Sequence, residues 1–431
     1  MCSVQLVDGL GYVQIAGCIA YWTNVDCIVE RQNASRLNKG LVLNNVHQKV
    51  DLLIIGGGVL GAFHAYHAIQ RGLRVVLLER NAAPQGATVR NFGQVVPSGM
   101  DRHWQQYGRD SLQIYQELQR QHDLSVRQLG SIYIASNEEE LCLIEELHAI
   151  DKANDYESEI VSSAWCCARY PLLREDYCKG GLYYPQEISV NPRQMIHQLH
   201  KALGEQAAYQ AHFESQVCSL VADERGAVAE TSLGETFVAD KAIVCSGAEF
   251  RLLFPELFRV SDLVAVKLQM MRLRPQPTTS LPGNILTGLS IRRYESFAQC
   301  PSWSEVKERE ASDSFWKKWG VHILFKQEAD GGIILGDSHE YAAAENVDSL
   351  GFDLRREISD YFIQEAKQIF NLPSWDVEAE WAGIYSQTND PSGIFTKTIG
   401  QNIHIVTGIG GKGMTSSAGY SKQHLKEIYN D

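Results

Sequence analysis

The clearest hydrophobic pattern in the chain begins at residue 50. The run VDLLII at residues 50–55 is almost entirely apolar, as expected of a strand covered on both faces in a parallel sheet. The next stretch, 59–72, has helical spacing and ends at Gly72, a residue suited to a helix C-terminus. A second apolar strand, RVVLLER, follows at 74–80. These segments predict two parallel strands joined by a right-handed helical crossover.

The pattern further along the chain contains fewer helices and more strands. Helical spacing recurs at 104–124 and 137–153. Runs rich in β-branched and aromatic residues predict strands at 130–136, 265–275, 321–338 and 402–408. The run 321–338 is interrupted by ADGG and predicts an antiparallel hairpin. We therefore predict an α/β protein with a Rossmann-type domain and an interleaved α+β domain built on a mixed, mostly antiparallel sheet.

The predicted domain boundaries follow this change of pattern. Residues 1–48 match no periodic template well and are treated as an N-terminal extension of unknown role. The Rossmann-type domain is predicted to be discontinuous, at 49–130, 190–260 and 380–431. The second domain is predicted at 131–189 and 261–379.

Composition excludes several classes of protein. The chain has 431 residues, of which 44% are hydrophobic and 21% charged, close to an average globular protein. Its net charge of −13 and the lack of basic runs argue against nucleic-acid binding. No apolar run is long enough to predict a membrane span. The ten cysteines show no metal-binding spacing, so we expect a reduced, cytoplasmic protein without a metal site.

A dinucleotide site is predicted directly after the first strand. Gly56, Gly58 and Gly61 have the GxGxxG spacing at the start of the helix, where each glycine permits a tight turn or a close approach. Backbone N–H groups at a helix start can hold a pyrophosphate. Glu79, at the end of the second strand, suits a ribose and disfavours an NADP 2′-phosphate. The alternative is a tight strand–helix turn without a ligand.

A second glycine motif favours FAD over NAD. TGIGGKGMTSSAG at 407–419 lies between the strand predicted at 402–408 and a C-terminal helix, and offers a second helix N-terminus. Two such sites at opposite ends of one chain suit a long cofactor whose flavin lies far from its adenine. The predicted contacts here are Gly410, Gly411, Lys412, Gly413, Met414 and Thr415. A glycine-rich loop that only caps the last helix is the alternative.

The stretch GATVRNFGQVVPSGM, residues 86–100, departs from the chain expected of an NAD dehydrogenase. We expect it to run from Glu79 along the pyrophosphate and under the flavin. The predicted cofactor contacts in and beside it are Arg80, Thr88, Arg90, Asn91 and Gly93. Alternatively, Arg90 and Asn91 only brace the loop. The part VVPSGM is expected to form a wall of the substrate pocket.

Several longer motifs resemble a known family. The motifs that carry this resemblance are, in chain order, IIGGGVLG, Glu79, VRNFGQ, KAIVCSGA and GIGGKGMT. With them the chain resembles the glycine oxidase, sarcosine oxidase and D-amino-acid oxidase superfamily of FAD enzymes. KLQMMR, GLSIRRYESFAQCPS, GDSHEY and WAGIY look closest to a branch associated with bacterial phosphonate degradation. The resemblance runs from about residue 50 to 430. It implies a glutathione-reductase-like FAD domain whose flavin is covered by the sheet of a substrate domain.

The resemblance also implies a reaction and further contacts. Enzymes of this superfamily oxidise a C–N bond by hydride transfer to flavin N5, and the resulting imine is hydrolysed. The electrons then pass to molecular oxygen or another acceptor. By resemblance, Val217 would give its backbone to the adenine and Gly247 would end a strand beside non-covalently bound FAD.

One departure from the family pattern concerns the substrate. Relatives often carry a carboxylate-binding arginine after the W-x-G element, where this chain has Tyr385. An anionic substrate group would then need other partners, and Lys267, Gln269, Arg292, Arg293, His339 and Lys412 are the candidates. The predicted catalytic set is Lys267, Gln269, His339, Tyr385 and Lys412. Ile334 aligns with the lysine that activates oxygen in some relatives.

Three functions are compatible with these observations. The first is FAD-dependent oxidation of a small aminophosphonate or its N-methyl derivative to an imine and then an aldehyde. The second is glycine or sarcosine oxidation, which the missing arginine weakens. The third is a non-catalytic FAD-binding subunit of a complex.

Overall fold

The computed structural model describes residues 46–430 in full. In the N-terminal region it describes the backbone of four short strands, Val4–Val7, Leu10–Ile15, Cys18–Thr23 and Asp26–Ile28. These strands pair in sequence order as an antiparallel sheet. The region predicted as a non-periodic extension therefore contains strands.

The first large sheet, here called the cofactor sheet, starts from the apolar run at residue 50. Val50–Ile55 lies at its centre, and Leu52, Leu53 and Ile54 are fully buried. It pairs in parallel with Val75–Leu78 on one side and with Thr236–Val244 on the other. Both faces of such a strand are covered, which explains its continuous hydrophobicity. The remaining strands of this sheet are Tyr209–His212, Val217–Asp223, Gly226–Thr231, Phe395–Ile399 and Ile403–Thr407.

Four longer helices belong to the same core. They are Val59–Gln70, Arg102–Gln119, Pro192–Gly204 and Gly413–Tyr429. Side chains cap two of them, since Asp101 accepts a hydrogen bond from Trp104 N and Asn191 accepts from Arg193 N and Gln194 N. The C-terminal helix Gly413–Tyr429 packs against the helices Val59–Gln70 and Arg102–Gln119. This packing brings the C-terminal helix beside the helix that follows Val50–Ile55.

The second large sheet, here called the substrate sheet, is antiparallel except for one pair. Asn284–Leu286 runs parallel to Ser131–Ala135. The other strands are Glu159–Ser162, Gly180–Tyr184, Val264–Leu273, Leu324–Gln327, Ile333–Gly336, Glu340–Ala343 and Val377–Gln387. Gln94–Val95 and Ile188–Ser189 form a small separate ladder.

Further helices surround the substrate sheet and join it to the cofactor sheet. They are Glu138–Ala153, Ser163–Arg169, Pro255–Arg259, Gly288–Ile291, Trp303–Arg309, Phe315–Lys318 and Arg356–Ile369. Short 3₁₀ turns lie at Ala87–Val89, Pro97–Gly99, Glu295–Gln299, Ala344–Leu350 and Gly410–Lys412.

The predicted fold class is confirmed, and so is the predicted hairpin. Leu324–Gln327 pairs antiparallel with Ile333–Gly336. The boundary predicted at residue 380 falls inside the strand Val377–Gln387, which pairs with Val264–Leu273 along the substrate sheet. The division into two interleaved domains is otherwise still a prediction.

Gly61 offers a test of helix–sheet packing. A methyl group at Gly61 would lie 2.0 Å from the carbonyl oxygen of Gly56. We expect Gly61→Ala to lower the free energy of unfolding by about 1–3 kcal/mol, because the helix must move away from the sheet. Urea unfolding monitored by circular dichroism measures this change. Gly204→Ala is the control, since a methyl group there meets no atom within 4 Å, and equal losses in both variants would contradict the packing argument.

Candidate cofactor and substrate site

One large cavity lies between the cofactor sheet and the substrate sheet. Its volume is about 1100 Å³. Small-molecule sites usually measure about 300–1000 Å³, so this cavity has room for a large cofactor and a small substrate. Its lining includes both glycine motifs, the segment from Pro84 to Met100 with gaps, and residues of the substrate sheet.

The first glycine turn forms one end of the cavity. Gly56 has a φ of +107°, and a methyl group on it would lie 2.3 Å from the carbonyl oxygen of Cys245. Gly56 and Gly58 line the cavity. Gly61 does not line it, and serves instead to let the helix pack closely on the turn. The positions of the three glycines are compatible with the separate tasks that their spacing predicts.

Buried polar side chains hold this turn in place. Glu79 accepts hydrogen bonds from Gly57 N at 2.8 Å and Asn81 N at 3.0 Å. Thr88 Oγ1 accepts from Val59 N, at the helix start, at 2.9 Å. Both side chains line the cavity. Their contacts make the loop that contains Thr88 a support for the helix N-terminus.

The predicted cofactor residues Arg90 and Asn91 line the cavity and also brace their own loop. Arg90 donates to the carbonyl oxygens of Gln85 at 2.8 Å and Ala382 at 2.9 Å. Asn91 accepts from Gly93 N at 2.7 Å and donates to backbone carbonyls of the preceding 3₁₀ turn. Gly93 has a φ of +72°. Bracing and cofactor contact are therefore compatible for this loop.

The second glycine motif forms another wall of the same cavity. All the predicted contacts of this motif line the cavity: Gly410, Gly411, Lys412, Gly413, Met414 and Thr415. The predicted contacts Arg80, Val217 and Gly247 line it too. A side chain at Gly247 or Gly411 would meet no protein atom within 4 Å, so the backbone there is open to a ligand. Thr415 Oγ1 accepts from Val96 N at 3.2 Å and joins the C-terminal helix to the loop after Gly93.

These features fit FAD. One cavity is surrounded by two helix N-termini with their N–H groups, by open glycine backbone and by a carboxylate at the end of a strand. The first glycine turn and the Glu79 region would hold the adenosine and pyrophosphate. The loop that contains Gly93 and the turn Gly410–Lys412 would border the flavin.

The substrate sheet and the connections beside it contribute polar side chains to the far wall. Arg293 Nη2 donates to Tyr341 Oη at 3.1 Å. The rings of His339 and Tyr385 lie 6.3 Å apart. All four residues line the cavity, as does Lys412. Lys412 Nζ is 3.2 Å from Glu295 Oε1, so its charge already has a carboxylate partner.

Two residues of this wall were missed by sequence reasoning. His322 Nε2 lies 2.5 Å from Asp337 Oδ1, and both residues line the cavity. Burial raises the pKa of Asp337, but His322, His339 and Arg293 together lower it further, to about 2. Burial and Arg293 lower the pKa of His339 to about 3. Asp337 is therefore ionised and His339 neutral at pH 7.

A metal ion does not suit this group. Donor atoms of His322, Asp337 and His339 lie within 4.8 Å of one another. A contact of 2.5 Å leaves no space for an ion between His322 and Asp337, because two ligands about 2.1 Å from one metal lie further apart than that.

Three predicted substrate-binding residues lie outside the cavity lining. Lys267 and Gln269 belong to a strand on which Leu268 faces the cavity, so these two point to the other face. Lys267 Nζ donates to Leu350 O at 2.9 Å and Asp353 O at 2.6 Å. The prediction that they reach the substrate directly is therefore wrong in this structure, because the two-residue period of the strand turns them away.

Gln269 and Arg292 have structural partners instead. Gln269 donates to Ser359 Oγ at 2.7 Å and accepts from Arg355 N at 2.8 Å. Arg292 pairs with Glu140 at 2.8 Å, within a group of buried acidic residues. Arg292 was predicted to bind an anionic group of the substrate. Its charge is instead neutralised by these carboxylates, and it does not line the cavity.

Ile334, predicted to align with the relatives' lysine, is buried in the substrate sheet. Its direct partner on the neighbouring strand is Lys326. Lys326 is buried and donates to Val190 O at 2.9 Å, and burial lowers its pKa to about 8. A buried lysine, Lys326, therefore lies on the strand next to Ile334 and directly opposite it. This pairing depends on the strand register and is not visible in the sequence.

The fold and the cavity define an FAD-dependent oxidoreductase, and the comparison with known families agrees. The family model described as "FAD dependent oxidoreductase" (DAO) matches residues 51–424. The chain belongs to this family.

Individual relatives are distant. Mitochondrial sarcosine dehydrogenase of Mus musculus is 32% identical over 148 residues, which cover 33% of this chain and 16% of that protein. This chain thus matches less than a fifth of that relative's length. An opine oxidase subunit of Rhizobium meliloti is 23% identical over 367 residues, covering 81% of this chain and 85% of that protein.

Solved structures support the fold. Glycine oxidase from Geobacillus kaustophilus superposes with a TM-score of 0.71 at 16% identity, covering 89% of this chain and 96% of that chain. An FAD-bound L-α-glycerophosphate oxidase from Mycoplasma pneumoniae has a TM-score of 0.71 at 16% identity, covering 89% and 95%. Among the helices of the part described here, none is long and apolar enough to cross a membrane.

Glu79 provides a test of the cofactor site. We expect Glu79→Ala to weaken FAD binding about tenfold or more, because a hydrogen bond to a charged group contributes roughly 1.5–3 kcal/mol. Glu79→Gln keeps an acceptor oxygen and should lose less. Equilibrium dialysis against FAD measures both. Glu256→Ala, an exposed glutamate paired with Arg259, is the control, and unchanged affinity in Glu79→Ala would contradict the assignment.

Proposed function

We propose that this chain is a cytoplasmic FAD-dependent enzyme that oxidises the C–N bond of a small amine carrying an anionic group. The first candidate substrate is an aminophosphonate or its N-methyl derivative. The observation that carries the proposal is Arg293, a guanidinium in the cavity wall that has no carboxylate partner within 4.0 Å among residues 46–430.

Arg293 suits an anion better than the other cations of the cavity. Arg80 pairs with Glu249 and Lys412 with Glu295. Arg90 has no carboxylate partner among the described residues either, but it donates to the backbone carbonyls of Gln85 and Ala382. Arg293 has only the hydroxyl of Tyr341 as a side-chain hydrogen-bond partner in the described chain. A guanidinium presents several donors in one plane and binds carboxylate or phosphonate oxygens strongly.

Tyr385 and Tyr341 complete this anion site. Tyr385 stands where relatives often have an arginine, and burial raises its pKa, so its hydroxyl remains protonated. Two hydroxyls beside one guanidinium offer donors in several directions, which suits the three oxygens of a phosphonate. A single arginine fork is sufficient for a planar carboxylate.

The chemistry depends on how the substrate is held. FAD, when bound, accepts the two electrons and the hydrogen removed from the carbon next to nitrogen. The protein's part is to bind the anionic group, to orient the amine and to exclude water. The imine product is then hydrolysed to an aldehyde. Molecular oxygen or another acceptor would reoxidise non-covalently bound FAD.

Two other functions have some support. Glycine or sarcosine oxidation is supported by the likeness to a glycine oxidase and a sarcosine dehydrogenase. A role as an FAD-binding subunit is supported by the likeness to a protein named as one subunit of an opine oxidase.

Anaerobic reduction distinguishes these functions. Mixing the holoenzyme with 2-aminoethylphosphonate, its N-methyl derivative, glycine or sarcosine should bleach the flavin with an aminophosphonate only. Bleaching by glycine or sarcosine alone would contradict the substrate class. Absence of bleaching with every amine would favour the subunit role.

Arg293 can be tested by substitution. We expect Arg293→Met to raise the dissociation constant of the reducing substrate about 10- to 100-fold, because a charge-assisted contact is lost. Anaerobic stopped-flow reduction measures this constant. Arg259→Met, an exposed arginine, should leave it unchanged. Equal constants in Arg293→Met and the wild type would refute the anion site.

A further inference from the structure

We propose that Asp337 and His339 form a subsite for the amino group of the substrate, on the same cavity wall as the anion site at Arg293. The inference rests on the proposed function, and it adds which residues receive the nitrogen. The ligand class is a small ammonium compound that also carries an anionic group.

Asp337 is a buried anion that lacks a permanent cationic partner at contact distance. Only 7% of its surface is exposed. Within the described chain its ion-pair contacts up to 4.0 Å are the imidazoles of His322, at 2.5 Å, and His339, at 3.9 Å. A desolvated carboxylate is costly unless a cation compensates it. His322 and Arg293 compensate part of this charge, and an ammonium group entering the cavity would add a further cation beside the carboxylate.

His339 offers an acceptor beside this carboxylate. Its Nδ1 lies 2.9 Å from Gly320 O, and a carbonyl oxygen can only accept, so Nδ1 bears the proton. Nε2 of the neutral ring then has a free lone pair. His339 lines the cavity. An N–H of the substrate can therefore donate to His339 while the ammonium charge faces Asp337.

The charged groups around Asp337 favour one orientation of a zwitterionic substrate. The titratable groups that face Asp337 are Arg293, Tyr294, His322, His339 and Tyr385. Arg293 is close enough to lower the pKa of both Asp337 and His339. A guanidinium and a carboxylate on one wall present opposite charges to a zwitterion. The anionic end is attracted to Arg293 and the ammonium end to Asp337, so the reversed orientation is disfavoured.

The backbone around the subsite is fixed by the substrate sheet. His322 N donates to Asp337 O at 3.1 Å, and His339 N donates to Trp319 O at 2.7 Å. Gln269 N donates to Ser338 Oγ at 3.3 Å. Gln269, predicted as a substrate contact, thus belongs to the strand that supports Asp337 and His339.

The test compares two ligands that differ in the amino group. Ethylphosphonate carries the anion alone, and 2-aminoethylphosphonate carries both charges. Ethylphosphonate cannot reduce the flavin, so anaerobic titration of the holoenzyme followed by flavin absorbance gives its dissociation constant. For 2-aminoethylphosphonate the constant comes from anaerobic stopped-flow reduction, or from the same titration if the flavin is not reduced. We expect 2-aminoethylphosphonate to bind the wild type at least about tenfold more tightly than ethylphosphonate, because its ammonium finds a buried carboxylate.

A substitution at Asp337 then tests whether this residue causes the difference in affinity between the two ligands. Asp337→Asn should remove the preference for 2-aminoethylphosphonate and leave the affinity for ethylphosphonate within about twofold. Asp176→Asn, whose side chain is 71% exposed, should keep the preference. A wild type without the preference, or an Asp337→Asn holoenzyme that keeps it, would overturn the inference. If Asp337→Asn does not fold, the wild-type comparison can still overturn the inference, because absence of the preference contradicts it.

The outcomes separate this inference from the proposed function. If amines reduce the flavin but the preference is absent, the subsite is wrong and the function stands. If no amine reduces the flavin but Asp337 still governs the preference, the subsite stands and the function is wrong.

Discussion

The structure depends on one constraint, the common direction of three strands in the cofactor sheet. Val50–Ile55, Thr236–Val244 and Ile403–Thr407 run parallel and end at the same edge. Three loops therefore begin side by side, although hundreds of residues separate them in sequence: the first glycine turn, the turn at Gly247 and the second glycine motif. Two of these loops lead into helices whose N-termini face one cavity. A dinucleotide site needs this convergence, and a sheet with another strand order would not supply it.

The cavity combines two kinds of chemistry from two sheets. The cofactor sheet contributes mainly glycine backbone, helix ends and Glu79, which suit phosphate and ribose. The connections beside the substrate sheet contribute Arg293, Asp337 and His339, which suit a small charged molecule. The opposite charges of Arg293 and Asp337 are retained because each has close polar neighbours. Burial between the sheets strengthens such electrostatic interactions, since little water is present to screen them.

The sequence predicts the cofactor half of this site much better than the substrate half. Gly56, Gly58 and Glu79 act within about 30 residues, and local spacing is sufficient to recognise them. Lys267 and Gln269 were predicted on the correct strand but on the wrong face. A resemblance between motifs does not show which side chains of a strand face the cavity. Asp337 and His322 were missed because their contact joins two segments whose pairing only the folded sheet defines. The pairing of Lys326 with Ile334 on adjacent strands could not be predicted for a similar reason.

The central claim is that both glycine motifs enclose one FAD. The most direct measurement is the absorbance spectrum of the purified protein, with the cofactor released by denaturation, identified and counted. We predict a yellow protein with two visible bands and one FAD per chain. A colourless protein that takes up no added FAD would contradict it.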